Sequence, residues 1–177
     1  IKITTDSGGS ASNDGNLTFY YKIDGAQSLT IDSGDGDFKF HGTVGGGSAT
    51  GISGLSINTN DETGTIEITD IGDAGGVGVN TGTISIGNAN TTTLTLDGTT
   101  YKTDGVTIYE AAAGDTILLT GASPTITTTN NNLTFDGGNI VLSTDGTTTI
   151  NTQLGGNGAG NILIDGTING TSSQSEA

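Results

Sequence analysis

The six residues Asp32-Ser33-Gly34-Asp35-Gly36-Asp37 set three carboxylates beside two glycines. Carboxylate oxygens on a backbone free to fold around an ion are the ligands a hard divalent cation takes. Asp32, Asp35 and Asp37 are therefore the candidate metal ligands, with calcium as the ion. The spacing is not that of an EF-hand: if Asp35 and Asp37 supply the first two ligands, the third position falls on Lys39. The competing reading of the same residues is a tight polar turn between two strands. Asp70 and Asp73 repeat the idea with fewer carboxylates. Gly155-Gly156-Asn157-Gly158-Ala159-Gly160-Asn161-Ile162-Leu163 follows the calcium-binding nonapeptide GGxGxDxUx except that Gly160 replaces the ligand Asp, so the segment reads as a corner.

Groups able to do covalent chemistry are scarce. His41 is the single histidine and there is no cysteine, so a Ser-His-Asp or Cys-His arrangement would have to be built across chains. Paired carboxylates can cleave glycosidic bonds, but that chemistry usually comes with aromatic sugar platforms and basic side chains. This chain has no Trp, no Arg and four Tyr. A non-enzymatic protein is expected, with no cofactor unless calcium binds.

The net charge of −15, with four lysines as the only cationic side chains, removes the basic surface that grips phosphates. Nucleic acid and anionic membranes are poor partners. No apolar run approaches the ~18 residues of a membrane helix, so membrane insertion is not expected. The absence of cysteine excludes disulfides and is compatible with an extracellular location. A missing initiator methionine and signal peptide fit an internal fragment.

Something must position these few groups, and the apolar residues say what. They recur with period two, at Ile1/Ile3, Leu17/Phe19, Leu29/Ile31, Phe38/Phe40, Leu55/Ile57, Ile66/Ile68, Ile84/Ile86, Leu94/Leu96, Val106/Ile108, Ile117/Leu119, Leu133/Phe135, Ile140/Leu142 and Ile162/Ile164, mostly with Thr, Ser, Asp or Lys between. Such pairs are short strands with one buried face. The best helix candidate, Glu110-Ala111-Ala112-Ala113, stops at Gly114. The protein is expected to be all-β.

Asp-Gly pairs at 24–25, 97–98, 104–105, 136–137, 145–146 and 165–166 mark the corners. They suit either a parallel β-helix (β-solenoid) or the hairpins of a β-sandwich in a tandem array. Short strands, 5% aromatic residues and corners rich in Gly and Asn favour the solenoid, whose narrow lumen thin layers of Val, Ile and Leu can fill. Residues 45–54 and 70–83 break the rhythm and are expected to project as loops, where recognition tends to reside.

The chain also echoes itself. Gly15-Asn16-Leu17-Thr18-Phe19 with Ile23-Asp24-Gly25 matches Gly160-Asn161-Ile162-Leu163-Ile164 with Ile168-Asn169-Gly170 at an offset of 145 residues. Flanking matches fall at 147, which divides the chain into one long repeat over 1–147 and the start of the next over 148–177.

Ser28-Leu29-Thr30-Ile31-Asp32-Ser33-Gly34-Asp35-Gly36-Asp37-Phe38-Lys39-Phe40, followed by Gly42-Thr43-Val44-Gly45-Gly46 and Leu55-Ser56-Ile57-Asn58-Thr59, resembles the repeat of giant bacterial β-strand-repeat surface proteins, relatives of filamentous haemagglutinin-type adhesins. Tyr101-Lys102-Thr103-Asp104-Gly105-Val106-Thr107-Ile108 and Asn132-Leu133-Thr134-Phe135 resemble further parts of that repeat. Residues 62–89 depart from it, being longer and richer in Gly. The resemblance implies export to the cell surface, an elongated β-rich rod, and a role in attachment, coating or filament formation. Like subunits or neighbouring repeats end to end, and a cell-surface glycan or protein, are the partners it suggests. The alternative function is a glycan- or protein-binding sandwich module of a surface-layer or cell-wall protein.

Overall fold

Thr and Ser alternating with Ile, Leu, Val and Phe make short strands that bury every second side chain, and the Gly- and Asn-rich corners between them turn the chain after three to seven residues. A computed structural model describes residues 1–6, 14–46, 51–60, 63–73, 75–80, 82–143, 146–154, 156 and 158–171. Among them the strands stack in parallel into a β-solenoid of about six turns. Every ladder between named strands is parallel. The Asp-Gly pairs among the described residues therefore sit at corners of a coil, and the sandwich alternative falls; Asp145 lies outside the described residues.

Three walls surround one core. The first is a seven-stranded sheet of β1 (Lys2–Thr4), β3 (Ser28–Asp32), β5 (Gly54–Ile57), β7 (Ile84–Ile86), β10 (Thr107–Glu110), β13 (Leu133–Asp136) and β16 (Ile162–Ile164). The second is built from β2 (Leu17–Phe19), β4 (Phe38–Val44), β6 (Thr65–Ile71), β8 (Thr93–Leu96), β11 (Thr116–Leu119), β14 (Asn139–Leu142) and β17 (Ile168–Gly170). The third contains β9 (Thr100–Thr103), β12 (Thr125–Thr128) and β15 (Thr149–Asn151), preceded by the far ends of β4 and β6. Because β4 and β6 run through both the second and third walls, these two form a single ten-stranded sheet.

The registers stack like on like. Ile3, Ile31, Ile57, Ile86, Tyr109, Phe135 and Ile164 form one inward file on the first wall. Leu17, Phe38, Ile66, Leu94, Ile117, Ile140 and Ile168 form its counterpart on the second. Ile84 and Ile86 from one wall, and Leu94 and Leu96 from the other, are fully buried in the same core, as their spacing predicts. Aromatic rings extend the stacking, with Tyr109 and Phe135 centroids 5.5 Å apart and Tyr101 edge-on to Tyr109 at 6.5 Å.

Three sequence expectations need correction. Val106 and Ile108 do not form an inward pair: Val106 is exposed, and Thr107 and Tyr109 face the core instead. The phase is set by Tyr109, which buries a large ring between Ile86 and Phe135, while the Thr107 hydroxyl is satisfied by Thr103 and the Gly105 carbonyl. Secondly, the described parts of residues 45–54 and 70–83 are not purely projecting loops. Ile52 and Val79 are buried, bridge each other in parallel, and belong to the coil. Thirdly, the two echoed segments, which as equivalent positions of successive repeats should share a wall, keep the same inward alternation but occupy different walls. Leu17–Phe19 lies in the ten-stranded sheet and Ile162–Ile164 in the seven-stranded one.

Candidate functional site

The three candidate calcium ligands do not converge. Asp32 is buried and its carboxylate pairs with Lys2 at 3.1 Å. Asp35 Oδ1 accepts the backbone N–H of Thr63 at 3.0 Å and its hydroxyl at 3.1 Å. Asp37 Oδ1 accepts the N–H of Thr65 at 3.2 Å and its hydroxyl at 2.6 Å. Between them the chain makes the polar turn, with the Gly36 N–H donating to the Ser33 carbonyl at 3.0 Å. Among the described residues no group of three or more His, Cys, Asp or Glu side chains could hold a metal ion.

These aspartates instead join turn to turn. The N–H groups of Asp35 and Asp37 donate back to Asp14 Oδ2 at 3.1 Å and Asn16 Oδ1 at 2.9 Å, so two files cross three successive turns: Asp14, Asp35, Thr63 and Asn16, Asp37, Thr65. The device recurs. Asp70 Oδ1 accepts the N–H groups of Thr99 and Thr100, both at 2.9 Å, and Asn139 Oδ1 accepts the Thr167 hydroxyl at 2.8 Å. Asn132 Oδ1 accepts the Asn161 N–H at 2.9 Å. The clips satisfy N–H and hydroxyl groups at corners or at the first residue of a strand, as at Thr65 of β6 and Thr100 of β9. Asp73 closes its own turn through the N–H groups of Gly75 and Gly76, so it forms no site with Asp70. Gly160 is a corner, its carbonyl accepting the Thr152 hydroxyl at 2.7 Å; Gly155 and Asn157 lie outside the described residues.

One corner network lies inside. Asn58, held at φ 43°, accepts the Ser33 N–H at 2.8 Å and donates to the Ser33 hydroxyl at 2.7 Å, and Asn88 donates to the Asn58 carbonyl at 2.8 Å. Asparagine tolerates the left-handed backbone and offers donor and acceptor together. In sequence these residues look like ordinary loop polar groups.

A grouping of charged and aromatic side chains lies outside the second wall. On β4, Lys39 and His41 point outward on either side of inward Phe40. The register against β6 shifts between Phe40 and Thr43, a bulge that turns the strand at His41 and Gly42. The ring of Tyr20, one turn earlier, stacks on His41 with centroids 5.6 Å apart and planes 20° apart. Glu67, one turn later, pairs with Lys39 at 3.0 Å and holds Oε1 3.9 Å from His41 Nδ1. The hydrogen bond to Glu67 raises the Lys39 ammonium above its usual range. Gly42 lets Tyr21 approach: a Cβ there would meet the Tyr21 backbone. Nothing local in the sequence shows Tyr20 beside His41, since the two are 21 residues apart.

The first wall offers less. A shallow groove on its outer side is lined by Ser28, Thr30, Ser53, Ser56, Thr83 and Ser85, uncharged groups that provide hydrogen bonds and no acid, base or nucleophile activation. No protein-family model, curated protein or solved structure matches the chain. The clips thus join turn to turn, and the Tyr20–His41 stack with the Lys39–Glu67 pair stands on the outer surface of the second wall.

Proposed function

We propose that the chain is a structural, non-enzymatic segment of an exported surface filament or adhesin, giving reach and attachment. The observation that carries this reading is the set of side-chain clips. They run parallel to the coil axis, add hydrogen bonds between turns where the strand ladders stop, and leave the carboxylate-rich faces hydrated. A stack of like turns around an aliphatic file lengthens by adding turns, about 4.8 Å for each. Among the described residues its terminal strands are β1 and β2 at one end and β15, β16 and β17 at the other, where Ile1, Ile162 and Ile168 are exposed. Such edges favour like segments end to end.

Immunogold labelling of intact cells that make the protein, with antibody raised against this chain, tests the reading. Gold standing off the outer surface is the expected result. Label that appears only after lysis would overturn it.

A further inference from the structure

Six of the eight aromatic side chains, Phe19, Phe38, Phe40, Tyr101, Tyr109 and Phe135, pack in or against the core. The other two are neighbours in sequence, and both stand in solvent: Tyr20 is 70% and Tyr21 86% exposed. The Tyr20 ring lies on the only histidine, the Tyr21 backbone lies against Gly42, an ion pair stands beside them, and neither ring belongs to the core. We propose that Tyr20, Tyr21, Lys39, His41 and Glu67 form a binding site for an uncharged hexopyranose ring of a glycan.

Ring geometry is the first reason. One face of Tyr20 is covered by His41, which fixes the phenol as a platform and leaves its opposite face open. The C–H face of a pyranose is flat and apolar and packs on such a ring. The second reason is the polar rim. Glu67 accepts from sugar hydroxyls, Lys39 donates to them, and His41 can do either, so the rim matches the alternating donors and acceptors of a hydroxylated ring. Charge supplies the third. Lys39 is paired with Glu67 and Lys22 with Asp24, on a chain of net charge −15, so a neutral ligand fits better than an anionic one. The corner at His41 and Gly42, where β4 passes from the second wall to the third, is the fourth: Gly42 lets the Tyr21 backbone close on β4, which holds the Tyr20–Tyr21 pair beside His41.

The test is an NMR titration of the whole chain with methyl β-D-galactopyranoside, methyl β-D-glucopyranoside, lactose and cellotetraose. At least one probe should shift the Tyr20 and Tyr21 ring signals, with half-saturation at about 1 mM as befits an open site. Tyr20→Ala should weaken that binding about tenfold. Glu67→Gln, which keeps the platform and lowers only the acceptor strength, should weaken it severalfold. Unchanged Tyr109 and Phe135 signals in both variants would show that the core is intact. The proposal fails if no probe moves Tyr20 and Tyr21, or if Tyr20→Ala binds as well as the parent chain. It also fails if these signals move on changing protein concentration alone, which would assign the surface to a second copy of the chain.

Discussion

Asp35 Oδ1 receives both the backbone N–H and the hydroxyl of Thr63, a residue one full turn further along the coil. The same two-fold acceptance joins Asp37 to Thr65, where the contact is partly buried. A carboxylate that looks in sequence like a metal ligand is thus a staple between turns. Removing it leaves two donors of the next turn without their acceptor.

Asp37→Ala should therefore lower stability by about 1 to 2 kcal/mol, and Asp37→Asn, which keeps an acceptor oxygen, by less. Millimolar calcium should leave the Tm of the parent chain unmoved. A calcium-dependent rise in Tm that Asp35→Asn abolishes would restore the metal site in place of the staple.

Leu96 and Leu118 face opposite ways on the second wall, the first fully buried and the second outward. Leu96→Asp should cost several kcal/mol by burying an unpaired carboxylate, whereas Leu118→Thr should change stability by less than about 0.5 kcal/mol. Denaturant titration of the two variants checks the register.

Two buried phenols should respond in opposite senses. The Tyr101 hydroxyl donates to the Ile68 carbonyl at 2.9 Å and accepts the Gly98 N–H at 2.7 Å, whereas Tyr109 OH has no hydrogen-bond partner among the described residues. Burial pushes both phenols well above their ordinary range. Tyr101→Phe should destabilise by about 1 to 3 kcal/mol, since it orphans a buried N–H and a carbonyl, and Tyr109→Phe should be neutral or stabilising. Equal losses from both would contradict this assignment of partners.

Glu110 is raised above the usual carboxylate range, first by burial and then by Asp136 beside it. An acid with a raised folded pKa favours the fold in its protonated form. That contribution is complete below the ordinary pKa of about 4.3 and is lost as pH rises through the folded value. Glu110→Gln should therefore melt higher than the parent chain at pH 7, and the gap should close near pH 4. A gap that widens on acidification would reverse the sign.

Much of this architecture was legible in the residue pattern, because two walls of the coil carry two inward apolar residues per pass, as at Ile84/Ile86 and Leu94/Leu96. The third wall was not. Its passes show a single large inward residue, Ile71, Tyr101, Ile126 or Ile150, and where a second position faces inward it is a buried threonine such as Thr103 or Thr128. Period two needs a pair. The corners were legible as corners, but not always for the right reason. Gly98 and Gly121 are required because a Cβ on either would collide with a carbonyl of the neighbouring turn, at Thr69 and at Gly98 respectively. The aspartate clips and the Tyr20–His41 stack stayed hidden because their partners lie 21 to 30 residues apart, a separation set by the length of a turn rather than by any local motif.

The most direct test of a mechanical coil is to pull a single molecule from its two ends. First-wall partners run from Ile31 to Ile57, Ile86, Tyr109, Phe135 and Ile164, so a turn takes between 23 and 29 residues. Each turn that peels away should lengthen the chain by about 80 to 100 Å. The account predicts resistance to force and release in steps of that size. Extension at low force without steps, or release of the whole chain in one event, would contradict it.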